Sequence, residues 1–149
     1  MIIKLTITDV NLYQESLKIL ISLCFDSSYK GRIDIAEKIN SMEKHILDGS
    51  ACVVGDIENN ELVGFLWGYP LNSVEGNVFH VAYISVCEQW QGKGIARRML
   101  AFAEREASNL KINFLELMVS NTNIPALSLY QSVGFVEVRK ILKKEIVGE

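Results

Sequence analysis

The most constraining stretch of this chain is Gln89-Trp90-Gln91-Gly92-Lys93-Gly94-Ile95-Ala96. It follows Asn77 to Val86, a β-branched and aromatic run that reads as a strand. It leads into a helix predicted over Lys93 to Leu110, with Ile95, Met99, Phe102 and Ala103 on one face and Arg97, Arg98, Arg105 and Glu106 mostly outside. A strand passing through two glycines into an amphipathic helix belongs to a layered fold, in which helices cover a sheet. The two glycines let a ligand approach bare main-chain amides. The helix start adds unpaired N–H donors and the positive end of its dipole. Together these suit phosphate oxygens without a cationic side chain, and Lys93 or Arg97 adds charge at the rim.

Two familiar phosphate loops do not fit these letters. A loop of the form G-x-x-x-x-G-K-[S/T] fails because Gly94 follows Lys93. A dinucleotide loop G-x-G-x-x-G fails because Arg97 stands at its third glycine. The letters also suit a plain strand-to-helix turn with incidental glycines.

The rest of the chain narrows the class. Its 149 residues suit one domain, 1–149, without repeat or linker. With 49% apolar and 22% charged residues it buries a core without disulfides or metals. A net charge of -3 gives no attraction to nucleic acid. Three cysteines, Cys24, Cys52 and Cys87, lack metal-ligand spacing and read as reduced thiols. No apolar run is long enough to span a membrane, and the N-terminus lacks a signal-peptide pattern. The default compartment is the cytoplasm.

Periodicity predicts a strand over Ile2 to Ile7, helices over Leu12 to Phe25 and Ile33 to Leu47, and a hairpin of Ala51 to Ile57 with Leu62 to Tyr69 around Glu58-Asn59-Asn60-Glu61. After the glycine turn come a strand over Ile112 to Val119 and a helix over Asn123 to Val133, with Pro125 in its first turn and Gly134 past its end. Phe135 to Ile146 is expected to finish the sheet. The result is a mixed α/β (α+β) domain.

Gln89-x-x-Gly92-x-Gly94 resembles the acyl-CoA loop of the GNAT superfamily. Asn123-x-x-Ala126-x-x-Leu129-Tyr130-x-x-x-Gly134-Phe135 resembles a second signature of that superfamily at the expected distance. The resemblance covers residues 51 to 138 well, and the N-terminal helices by topology. It implies a mostly antiparallel mixed sheet of six to seven strands flanked by four helices. It implies acetyl-CoA as co-substrate, no metal, and a strand that splays at a bulge so that the pantetheine arm pairs with Ile84, Ser85 and Val86. The amides of Gln91, Gly92, Lys93, Gly94, Ile95 and Ala96 would then hold the pyrophosphate.

By the same resemblance Asn123 contacts the cofactor, although Asn also suits a helix N-cap. Tyr130 is the acid that protonates the departing sulfur, a phenol of pKa about 10; alternatively it is core, on one stripe with Ala126, Leu129 and Val133. The family's usual glutamate base is replaced by Val78, a departure that puts a carboxylate base in doubt. His80, on the same strand face, is either a base acting through water or a satisfied core histidine. His45, beside Glu43 and Lys44, and Glu88 read as surface. Neither Cys87 nor Ser85 has a base at hand, so direct transfer is favoured over an acyl-enzyme.

The resemblance implies an acceptor pocket at Phe25 to Arg32, near Trp67, Tyr69 and Tyr83, aromatics that either line it or are simply core. Asn72 to Gly76 reads as a polar loop in which Glu75 is a solvated charge. The dozen residues after Phe135 lack a turn signal. The last strand is therefore missing, short or exchanged in a homodimer. The expectation is an N-acetyltransferase acting on a primary amine, with a ribosomal-protein alanine type as the nearest flavour. The alternative is an acyl-CoA-binding regulatory domain without turnover.

Overall fold

A computed structural model describes residues 1–25, 29, 31–74 and 76–148. They form two compact units, Met1–Met118 and Val119–Glu149. The first contains β1 (Ile2–Lys4), α1 (Ile7–Leu12), α2 (Gln14–Ser22), α3 (Ile35–Leu47), β2 (Cys52–Glu58), β3 (Glu61–Ser73), β4 (Gly76–Val86), α4 (Ile95–Asn109) and β5 (Leu115–Leu117). The second contains α5 (Ile124–Ser132).

Local chemistry sets most boundaries. The predicted first strand stops at Lys4 because Thr6 caps α1: its side chain takes the Asp9 N–H, and the Asp9 side chain returns to the Thr6 N–H. The helix predicted from Leu12 therefore begins earlier, at Ile7, and breaks at Tyr13, which leaves the helical region. Asp34 caps α3 by accepting the Glu37 N–H. Asn59 and Asn60, both at positive φ, make the two-residue turn between β2 and β3. The polar loop predicted over residues 72–76 is partly strand, since Asn72 and Ser73 pair with Asn77 and Gly76; Glu75 lies outside the described residues.

The sheet order is β1-β2-β3-β4-β5, antiparallel except for the parallel β4–β5 pair. Five strands are present among the described residues, against the six to seven expected. Residues 135–146, predicted as the last strand, form none. A strand is held by its neighbour's backbone, and the second unit offers no second strand. The strand predicted over Ile112 to Val119 contracts to three residues, because β4 pairs with it only over Phe79 to Val81.

Phe65 and Trp67 of β3 face Val10, Leu17, Leu20, Ile21, Ile39 and Met42 of the first three helices. The alternate residues face α4, where a Cβ on Gly64 would lie 3.1 Å from Ile95 and 3.2 Å from Met99. Each fully buried side chain of this size contributes about 1.5–3 kcal/mol.

Asp56 of β2 is the one buried charged side chain among the described residues. Burial pushes its carboxyl upward, but hydrogen bonds and charge from the Met1 amino group, from Glu58 and from Arg98 outweigh that and hold it below the usual range. A carboxyl depressed in the folded state stabilises above its unfolded pKa of about 3.9, and that contribution is lost as pH falls toward the folded value. Denaturant titrations at pH 7 and pH 3 should therefore show Asp56→Asn less stable than wild type at pH 7, with the gap shrinking at pH 3. An equal gap at both values would contradict this account.

Candidate active site

The site grows from one irregularity in β4. Trp67 pairs with Tyr83, but the next β3 residue, Gly68, pairs with Val81, which leaves Ala82 as an extra residue. Such a bulge bends the strand and ends regular pairing. On its far edge β4 meets β5 only through Phe79, His80 and Val81, before the bulge. Beyond it, the edge of β4 away from β3 has no strand partner among the described residues.

The alternation of the ladder says which groups line that edge. The Cys87 N–H donates to the Val63 carbonyl at 2.8 Å, so Ser85 and Tyr83 also turn their main chains toward β3. Ile84 and Val86 turn theirs away. Of the three residues expected to pair with a pantetheine arm, Ile84 and Val86 thus present backbone to the open edge, while the Ser85 main chain is engaged with β3. The Val86 carbonyl already accepts the Gln91 side-chain amide at 3.0 Å, and the Ile84 carbonyl has the Cys24 thiol at 3.8 Å.

The open edge runs into the glycine turn. A short 3₁₀ turn, Glu88–Trp90, leads to Gly92 at φ 77° and Gly94 at φ 80°. That region favours glycine, which has no Cβ to crowd the backbone. No side chain caps α4, whose first internal bond runs from the Arg98 N–H to the Gly94 carbonyl. The turn amides and those of Ile95 and Ala96 are therefore outside the helix ladder. A Cβ on Gly92 would meet nothing within 4 Å. The Lys93 ammonium sits 4.8 Å from the Trp90 ring centre, at the rim.

Beside the bulge, between α3 and the sheet, is a cavity of about 680 Å³. Its lining includes Lys38, His45, Trp67, Tyr69, Ala82 and Tyr83. Lys38 donates to the Tyr83 hydroxyl at 3.1 Å. His45, expected at the surface, is half-buried: its Nδ1–H donates to the Ser41 carbonyl at 2.6 Å, and it borders the cavity near Trp67. Lys38, Ser41 and His45 follow the i, i+3, i+7 spacing of one helix face, a signal in the letters that the charged neighbours of His45 masked. The buried Trp67 indole N–H has no hydrogen-bond partner among the described residues. Of the acceptor segment expected over Phe25 to Arg32, Phe25 stacks near Tyr83, with ring centres 5.9 Å apart; Asp26, Ser27, Ser28 and Lys30 lie outside the described residues.

His80 is largely buried, 14% exposed, and pairs across the sheet with Tyr69 and Glu116. Its Nδ1 lies 2.9 Å from the Glu116 carboxylate. A carboxylate only accepts, so Nδ1 carries the proton and Nε2 of the neutral ring keeps its lone pair. Glu116 was not singled out from sequence, because its link to His80 depends on the parallel β4–β5 register. His80 does not line the cavity itself; its ring is 5.4 Å, centre to centre, from that of Tyr69, which does. Val78 pairs with Leu71.

Nucleophiles are disfavoured here. Burial pushes the Cys24 thiol up to about 11 and also raises that of Cys87, so both are protonated at neutral pH. The Ser85 hydroxyl donates to the Leu20 carbonyl at 2.6 Å. Among the described residues no group of three His, Cys, Asp or Glu side chains is arranged to hold a metal ion.

Asn123 and Tyr130 belong to the second unit. Asn123 caps α5, accepting the Ala126 N–H at 3.3 Å. Tyr130 packs edge-on against Phe135 at 5.7 Å, and its carbonyl accepts the Phe135 N–H at 2.9 Å.

Residues 15–135 match the family described as Acetyltransferase (GNAT) family. The chain belongs to this family.

Its relatives are acetyltransferases of varied acceptors. The GNAT chain is 32% identical over 88 residues to streptothricin acetyltransferase of Escherichia coli, covering 59% of this chain and 48% of that one. It is 33% identical over 114 residues to an N-alpha-acetyltransferase of Sulfurisphaera tokodaii, covering 67% and 65%. The chain thus spans about half to two thirds of the length of these relatives. Its fold matches AAC(6')-Iy in complex with the bisubstrate analog CoA-S-monomethyl-acetylneamine, with a TM-score of 0.78 at 15% identity over 99% of this chain and 97% of that one. The bulged strand, glycine turn and α4 of the GNAT fold are all within the first unit.

Proposed function

We propose that this chain is an N-acetyltransferase that moves the acetyl group of acetyl-CoA directly to a primary amine, at a protein N-terminus or on a small molecule. The observation that carries this reading is the β4 edge left open beyond Ala82 and running into the Gly92–Gly94 turn. Ile84 and Val86 offer main-chain groups to an extended pantetheine arm. The amides of Gly92 to Ala96 take its diphosphate; the Gln91 N–H, expected among them, instead donates to the Glu88 carbonyl at 3.2 Å. The cavity beside the bulge, walled by Tyr69, Tyr83 and Trp67, receives the amine.

A protonated amine cannot attack, so a proton must leave it. His80 Nε2 takes that proton through water, since Tyr69 lines the cavity and His80 does not, while Glu116 holds the tautomer and stabilises the imidazolium. The amine nitrogen bonds to the thioester carbon, the carbon–sulfur bond breaks, and Tyr130 gives its phenolic proton to the sulfur. Asn123 supports the cofactor's arm. The raised thiols of Cys24 and Cys87 and the engaged Ser85 hydroxyl support direct transfer over an acyl-enzyme.

The test is release of free CoA thiol from acetyl-CoA with a panel of amines that includes N-terminal peptides and amino sugars. Amine-dependent release with at least one class is expected. CoA binding without release for any amine would overturn the reading in favour of a regulatory acyl-CoA-binding domain. With a working acceptor, His80→Gln should lower kcat/KM for the amine about 100-fold near pH 7 while CoA affinity stays constant. The deficit should narrow at high pH, where the amine is already neutral. A wild-type rate in His80→Gln would remove His80 from the reaction.

A further inference from the structure

We propose that Arg98, braced by the buried carboxylate of Asp56, is a positioning residue that keeps the Lys93–Gly94 peptide turned so that its N–H faces the diphosphate. This inference rests on the reading of the Gly92–Gly94 turn as the diphosphate site. One face of the Arg98 guanidinium looks back along its own helix. Nη1 donates to the Lys93 carbonyl at 3.1 Å, and Nη2 lies 3.4 Å from Asp56 Oδ2. Asp56 is itself fully buried, and its other oxygen accepts the Met1 amino group at 2.7 Å.

The peptide between Lys93 and Gly94 is planar and trans, so its carbonyl and its N–H point in opposite directions. Drawing the Lys93 carbonyl to Arg98 therefore aims the Gly94 N–H away from Arg98. Few other peptides in this chain need such a hold. Lys93 is flanked by glycines at φ 77° and φ 80°, and glycine rotates freely between regions barred to other residues. A flipped peptide would turn the negative end of a carbonyl toward an anionic ligand. Arg98 blocks that flip by hydrogen bonding, and Asp56 holds Arg98 from swinging out, because the buried carboxylate would then keep only the Met1 amino group as its cation. Arg98 was read from sequence as an outward charge, and half of its side chain is in fact exposed. Its working end is the part turned inward.

Two roles for Arg98 predict opposite results at Asp56. If Arg98 were a direct phosphate ligand, removing the Asp56 charge would free it and tighten CoA binding. If Arg98 orients the turn, removing that charge loosens the turn and weakens binding. The experiment compares wild type, Arg98→Ala, Arg98→Gln, Asp56→Asn and the double variant, each checked for fold by circular dichroism. CoA affinity is measured by calorimetry. Turnover is measured with acetyl-CoA and with S-acetylpantetheine, a donor without the diphosphate.

Arg98→Ala should raise the CoA Kd and the KM for acetyl-CoA about tenfold, the scale of one charge-assisted hydrogen bond. Its kcat should stay within about twofold, and kcat/KM for S-acetylpantetheine should not change. Arg98→Gln, which keeps a donor for the Lys93 carbonyl, should recover part of the loss. Asp56→Asn should weaken CoA in the same direction, and the double variant should be no worse than Arg98→Ala alone. Tighter CoA binding by Asp56→Asn, unchanged affinity in Arg98→Ala, or an equal loss with S-acetylpantetheine would each overturn the proposal. Should Asp56→Asn fail to fold, the Arg98→Ala and Arg98→Gln pair with the two donors decides it. A wild-type protein that binds no CoA would instead sink the reading of the site.

Discussion

Gly92→Val is expected to weaken CoA binding at least about 100-fold while leaving the protein folded. The backbone at Gly92 is at φ 77°, a region that costs a residue with a Cβ about 1–2 kcal/mol. A β-branched residue is worse placed there than most. Yet the added Cβ meets nothing within 4 Å, so the damage to the fold is limited to backbone strain. That predicts a melting temperature lower by only a few degrees. The functional damage is larger. The side chain occupies the open space in front of the turn, and relief of the strain rotates the neighbouring amides out of alignment. Calorimetry of CoA binding beside a thermal melt separates the two effects. Unimpaired CoA affinity in Gly92→Val would mean that the diphosphate lies elsewhere.

Tyr130→Phe should lower kcat about 100-fold, the range for loss of a general acid, with CoA affinity nearly intact. The substitution keeps the aromatic ring that packs against Phe135 and removes only the hydroxyl, so α5 and the Gly134 turn should survive. The thiolate would then leave without a proton donor, and the penalty should fall on turnover rather than binding. Steady-state kinetics at saturating acetyl-CoA measures it. Wild-type kcat in Tyr130→Phe would return Tyr130 to a packing role.

Short-range chemistry made much of the framework legible. The Asn59-Asn60 turn, the glycine turn, the Asn123 cap and the Pro125–Gly134 limits of the last helix each depend on a few neighbouring residues, and each stands where it was read. The helix predicted over Leu12 to Phe25 stands as α2, Gln14–Ser22, while α1 was missed because the Thr6–Asp9 capping box outweighed the apolar alternation of Ile2 to Ile7. The predicted final strand failed for a different reason. Val136, Val138, Ile141 and Leu142 remain exposed, and alternation alone makes no strand without an edge to pair with. Asp56 carried a readable warning, since an acid inside an apolar strand must find a partner. Which partner it finds was not in the letters.

By itself the sequence determined the parts whose geometry is local: a strand, two left-handed glycines and an uncapped helix start that together leave main-chain amides bare. Only the tertiary structure decided how that turn is served. The bulge at Ala82 arises from the register between β3 and β4. The His80–Glu116 pair spans 36 residues of chain and the Arg98–Asp56 pair spans 42. Such contacts depend on how strands slide and helices dock, and a one-residue slip in strand register would turn His80, Glu116 or Asp56 to the opposite face.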